Sequence, residues 1–151
     1  MGSQTVVYGF IEGRQNYLDH INPERSALYA DWNKSVILAL PSTDEPPYLV
    51  KEMFAISEYN QVSLQYGFQI IHFGASYKNL EDEWPLWLAK FEQLLRQLHW
   101  GQAVVRIESD SVGSHEYRWR AQAADRNSSA TGLRTPVTEW EFKGGSRSFD
   151  E

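Results

Sequence analysis

Cysteine is absent from the 151 residues. Disulfide frameworks, thiolate zinc sites, iron–sulfur clusters and cysteine nucleophiles are thereby excluded. Long apolar runs are missing as well. The longest aliphatic stretch runs from Val36 to Leu40, far short of the ~20 residues that span a bilayer as a helix. No basic segment followed by an apolar stretch opens the sequence, so no secretory signal is expected and a cytoplasmic location is. Basic side chains are in the minority, 14 against 20 acidic ones, for a formal net charge of −6. A nucleic-acid-binding domain needs a basic stripe to displace counterions from phosphates, and none is visible. Anionic membrane surfaces are disfavoured for the same reason.

Phosphate-cradling loops are also lacking. The glycines never fall into GxGxxG or GxxxxGK[ST] spacing, and there is no GxSxG elbow. Gly74-Ala75-Ser76 follows an expected strand but leads into a loop, which does not make a nucleophile site. His115-Glu116 suggests the zinc motif HExxH, but position 119 is tryptophan and the segment reads as a strand. That motif requires two histidines on one helix face. His20, His72, His99 and His115 are dispersed. No metal or cofactor is expected.

What remains is a sequence of ordinary globular composition, 42% hydrophobic and 23% charged. At this length one domain can bury roughly 70% of its unfolded surface. The reading is a single domain over 1–142 with a flexible tail over 143–151. Thr5 to Glu12 is rich in β-branched and aromatic residues, apolar on both faces, and ends at Gly13, which suits a strand inside a sheet. Asn22-Pro23-Glu24 is a helix start, and the helix is expected to run to about Ala39 with Leu28, Trp32 and Val36 along one face. Pro41 to Pro47 reads as a loop. Tyr48 to Glu58 and Val62 to Tyr77 read as strands joined by a turn at 59–61.

A second helix is expected from Asp82 to His99. Trp84, Trp87, Leu88, Phe91, Leu94, Leu95 and Leu98 fall within an arc of about 120°, one buried stripe. Leu86 lies off that stripe, and Gly101 is the expected stop. Three half-buried strands follow, built around Ala103, Val105 and Ile107, then Tyr117, Trp119 and Ala121, then Trp140 and Phe142, with a long polar loop at 122–136. One-sided strands and two amphipathic helices predict an α+β two-layer sandwich. Its sheet is mostly antiparallel with both helices on one face, in the order β-α-β-β-α-β-β-β.

In the first hairpin of the last three strands, one register sets Glu108 opposite Glu116 as a possible acid/base pair. It also sets Arg106 opposite Arg118, so like charges meet twice. A shift by two residues pairs Arg106 with Glu116, or Glu108 with Arg118, and is preferred. Five of the six tryptophans fall on expected apolar faces, leaving Trp100 as a surface aromatic.

One interaction candidate survives. Glu81, Asp82 and Glu83 precede the second helix, Leu86 follows one turn later, and Asp44 and Glu45 lie in the proline-rich loop. Together they would form an acidic edge around an apolar spot, complementary to a basic protein partner.

The stretch from His72 to Glu92 (HFGASYKNLEDEWPLWLAKFE), continuing through Leu98, His99 and Trp100 to Arg106, Ile107 and Glu108, resembles the immunity proteins encoded beside polymorphic or contact-dependent bacterial toxins. The resemblance covers about a quarter of the chain and rests on general texture. It implies a small, cytoplasmic, non-enzymatic α+β domain that binds one toxin domain and blocks its site. It transfers no binding residue. Two other functions are compatible with the sequence: a small hydrolase or lyase with a cavity around His72, and a self-associating structural module.

Overall fold

The computed structural model describes residues 4–13, 23–56, 69–111, 113–121 and 139–144. Six antiparallel strands form one sheet: β1 (Gln4–Gly13), β2 (Phe54–Ile56), β3 (Ile70–Lys78), β4 (Trp100–Ser109), β5 (Gly113–Ala121) and β6 (Trp140–Lys143). Their spatial order is β2-β3-β1-β4-β5-β6. Helix α1 (Pro23–Leu38) follows β1, and α2 (Trp84–Leu95) follows β3. The element order is therefore the one expected, and the architecture is an α+β sandwich. β1 pairs with β3 on one side and β4 on the other, the interior position expected of it; Thr5, Val7 and Ile11 are buried on one face, while Val6 on the other is exposed.

The buried face of the sheet carries Val7 and Ile11 of β1, Ile71, Phe73 and Tyr77 of β3, Ala103, Val105 and Ile107 of β4, and Tyr117 and Trp119 of β5. Helix α2 lies on it with Trp84, Trp87, Leu88, Phe91, Leu94 and Leu95 buried. Trp84 stacks on Trp87 at 5.1 Å between centroids, and Trp87 on Phe91 at 5.2 Å. Phe91 in turn meets Phe73 of β3 and Trp119 of β5. The expected helical stripe is thus the aromatic centre of the core.

Several boundaries differ from expectation, each for a local reason. Helix α2 ends at Leu95 rather than His99. Two indole N–H groups take carbonyls of its last turn and the turn beyond: Trp100 donates to Leu95 O at 2.9 Å, and Trp32 to Gln97 O at 2.9 Å. Those bonds satisfy acceptors that a helix end leaves open, so no glycine stop is needed, and Gly101 lies within β4. Trp100 is consequently fully buried, a correction to its reading as a surface aromatic. At the other end, Asn79 in the left-handed conformation (φ 57°) starts a short 3-10 turn, Leu80–Glu83, ahead of α2. Among the described residues the strand expected from Tyr48 is regular over Phe54–Ile56, after a 3-10 turn at Lys51–Met53.

In α1 the buried side is rotated. Tyr29, Ala30, Asn33 and Ile37 are inside, while Leu28 is 48% and Trp32 43% exposed. The reason is polar. Asn33 donates Nδ2–H to His99 O and accepts from His99 N–H, both at 2.8 Å. Its amide thereby does for the backbone what a neighbouring strand would. Lys143, placed in the expected tail, belongs to β6 opposite Arg118. The turn at 59–61, the first residues of the strand expected from Val62, the loop at 122–136 and the tail from 145 onward lie outside the described residues.

The hairpin register also resolves. Arg106 stands opposite Glu116, and Glu108 opposite Ser114, so the two glutamates do not face each other. Glu116 Oε1 receives Arg118 at 2.9 Å and lies 3.5 Å from Arg106. Glu108 accepts the Tyr8 hydroxyl at 3.0 Å.

Candidate functional site

Lys90 of α2 ties the loop that carries Asp44 and Glu45 to the helix that the Leu80–Glu83 turn precedes. Its ammonium reaches Asp44 Oδ2 at 2.8 Å and donates to the carbonyls of Glu45 (2.9 Å) and Pro47 (3.0 Å). Asp44 Oδ2 also accepts the Leu49 N–H at 3.0 Å. The loop over 41–50 is therefore fastened to the outer side of α2. Leu86 precedes Lys90 by one helical turn and so lies on the same side of the helix. It is 58% exposed. Asp44, Glu45, Asp82, Glu83 and Leu86 thus share one end of the molecule. Glu81 belongs to the same 3-10 turn.

These acids are not equivalent. Asp44 is neutralised by Lys90, whose bond holds its carboxyl below the usual carboxylate range. Its first role is to hold the loop. Glu45 and Asp82 are exposed, and Glu83 is half-buried. A group whose folded pKa lies below its unfolded value contributes stability above the unfolded value, here 3.8, and loses it as pH falls through the folded one. Asp44→Asn should therefore lower stability at neutral pH, and the difference from the parent protein should shrink as acidification passes below about 4. Urea unfolding along an acid titration measures this, and a difference independent of pH would contradict it.

Between the loop and the start of α2 lies a cleft of about 500 Å³, lined by Gln4, Pro46, Pro47, Tyr48, Ser76, Tyr77, Lys78, Leu80 and Glu83. Its tyrosines are committed to the frame. Tyr48 donates its hydroxyl to Ser76 O at 2.6 Å. Tyr77 donates to Tyr48 O at 2.9 Å and accepts the Trp87 indole N–H at 3.0 Å. Burial pushes the Tyr77 phenol well above its ordinary value, so it stays protonated. Glu83 and Lys78 are the charged side chains of the lining, and Ser76 has no histidine beside it there. The cleft is equipped to hold a charged or hydrogen-bonding segment.

His72 stands on the opposite, open face of the sheet, exposed, between Ala55 and Phe10 in register. It lines neither this cleft nor a smaller depression of about 90 Å³ at the β5–β6 edge, where Arg118, Arg120 and Lys143 gather around Glu141. Among the described residues no group of three or more metal-ligating side chains is found, and no described helix is long and apolar enough to cross a membrane.

Sequence reasoning missed Lys90, Asn33 and the cleft. Lys90 is one of 14 basic residues, and nothing in its spacing marks a partner in a distant loop. No family model, curated protein or solved structure matches the chain.

Proposed function

We propose that the chain is a non-catalytic protein-binding domain, an immunity protein that neutralises a cognate bacterial toxin domain by binding and occluding it in the cytoplasm. The observation that supports this reading most is that the loop of Asp44 and Glu45, fastened to α2 by Lys90, shares a cleft with Glu83 near an exposed leucine. A rim of carboxylates around an apolar anchor is the chemistry that recognises a basic protein surface. The sequence resemblance points the same way.

Uncompensated surface carboxylates accelerate encounter with a basic partner, and salt screens the effect. Changing Glu81, Asp82 and Glu83 together to lysine should slow association with the toxin domain by roughly tenfold or more at low ionic strength and flatten its salt dependence. Stopped-flow or surface-based kinetics measures both. An unchanged association rate would remove these residues from the interface.

A further inference from the structure

The cleft has a backbone wall as well as side chains. Among the described residues β2 pairs with β3 at Ile71, His72 and Phe73. Upstream of Phe54 the chain leaves the sheet through the Lys51–Met53 turn, closed by Met53 N–H to Val50 O. Beyond Phe73, therefore, the outer edge of β3 has no strand beside it among the described residues. Ser76 stands opposite Val6 of β1, and Lys78 opposite Gln4. The Ser76 carbonyl accepts from Tyr48, a side chain outside the sheet, so it points away from β1.

In an antiparallel strand the N–H and C=O of one residue point to the same side, and those of residues two apart share that side. Ser76 and Lys78 thus both turn their N–H and C=O groups outward, into the cleft they line. Both residues are exposed. The Tyr48 hydroxyl takes one of the two lone pairs on Ser76 O, leaving the other.

We infer that this edge of β3 is a strand-addition site for an extended, basic segment of the protein partner. The inference rests on the proposed function and deepens it. Exposed edge groups are a template for an added strand, and main-chain bonds then supply affinity while alternate side chains supply selectivity. An incoming strand paired at Ser76 and Lys78 turns alternate side chains to opposite faces. Those on the helix side meet Leu80, Pro47 and the Glu83 carboxylate, with Asp82 and Glu45 nearby on the rim. A lysine or arginine is the side chain that answers a half-buried carboxylate there. Those on the open side meet Lys78 and Gln4, which favour small polar residues.

The test uses the full chain, isotopically labelled, and a synthetic peptide alternating lysine and threonine. The expected result is that the Ser76 and Lys78 amides slow in hydrogen exchange by at least tenfold on binding, and that a glutamate–threonine peptide has no effect. Ser76→Pro removes the outward N–H, and because that group is not in the β1 ladder the fold is retained; binding should be lost. Methylating alternate backbone nitrogens of the peptide should abolish binding without altering the protein. Peptide binding that leaves the Ser76 and Lys78 amides unprotected, or that survives both Ser76→Pro and backbone methylation, overturns strand addition. If that surviving binding is lost in Glu83→Lys, the acidic edge stands and only the strand geometry fails. Absence of any binding also overturns strand addition, and leaves the proposed function to its own test with the toxin domain.

Discussion

Gly9→Ala should destabilise the protein by about 3 kcal/mol, at the upper end of the usual cost of overpacking a core. Gly9 lies in the middle of the central strand, opposite Phe73 of β3 and Val105 of β4. A Cβ there would clash with the Val104 carbonyl oxygen and meet the tip of the Phe73 ring at 2.9 Å. Phe73 could turn a little, but the carbonyl is backbone in a paired strand and cannot retreat without shifting β4 against β1. For a domain of this size each kcal/mol corresponds to roughly 2–4 °C in Tm, so a fall near 10 °C is expected. Gly74→Ala is the control. Its Cβ would lie 3.7 Å from both Tyr8 Cβ and Val7 O, an ordinary contact, so its Tm should stay within about 2 °C of the parent protein. Equal shifts in the two variants would refute the steric account.

Asn33→Leu should cost a similar amount, about 3 kcal/mol, although the two side chains share the same branched skeleton of heavy atoms. Asn33 and Gln69 are buried, and His99 is buried beside them. The Asn33 amide serves the N–H and C=O of His99 and reaches Gln69 Oε1 at 3.3 Å. Gln69 Nε2 continues to Ala30 O at 3.3 Å, and Gln69 O accepts the Gly13 N–H at 2.7 Å. One polar cluster therefore joins α1, the end of β1, the approach to β3 and the entry to β4. Leucine would fill the space but remove the partner of two buried backbone groups, each worth about 1–3 kcal/mol when its bond is lost. Ser35→Ala, which removes an exposed bond to Asp31 O within the same helix, should change stability by less than about 0.5 kcal/mol. Denaturant unfolding of the three proteins decides. A loss below about 1 kcal/mol for Asn33→Leu would show that the cluster is replaceable by packing.

These two positions also mark where sequence reading reaches its limit. Periodicity recovers what depends on an element's own two sides. The stripe from Trp84 to Leu95, the interior position of β1 and the buried face of β4 and β5 were legible because burial there follows local repeat. Charge arithmetic excluded the β4–β5 register with two like-charge contacts and left two others, of which the one pairing Arg106 with Glu116 is formed. The rotation of α1 was not legible, because Leu28 and Trp32 offer an apolar face of equal plausibility. What overrides it is the need of the His99 backbone for an amide, a tertiary demand. Trp100 was misread for the same kind of reason: its indole N–H closes the end of α2, and no local pattern announces a cap supplied from the next strand.

The site was legible in part. Acidic residues flanking a helix start and a proline-rich loop can be seen in the chain, and so can Leu86 lying off the buried stripe. That the proline-rich loop is fastened to α2 depends on Lys90, and that a cleft opens beside Ser76 and Lys78 depends on β2 starting only at Phe54, opposite Phe73. Neither follows from spacing. Asp44 illustrates the consequence. Counted with the other acids in the sequence, it is absorbed by Lys90 in the structure, which leaves Glu45, Asp82 and Glu83 to set the field of the rim.

The central claim, binding of one toxin domain through the acidic edge, is tested most directly by affinity capture. The protein serves as bait in its native host, beside the Glu81, Asp82 and Glu83 lysine variant, with mass spectrometry as readout. The account predicts a stoichiometric, salt-sensitive complex with a single toxin domain that the lysine variant fails to retain. A toxin domain demonstrably expressed yet not captured, or captured equally by both baits, would contradict it.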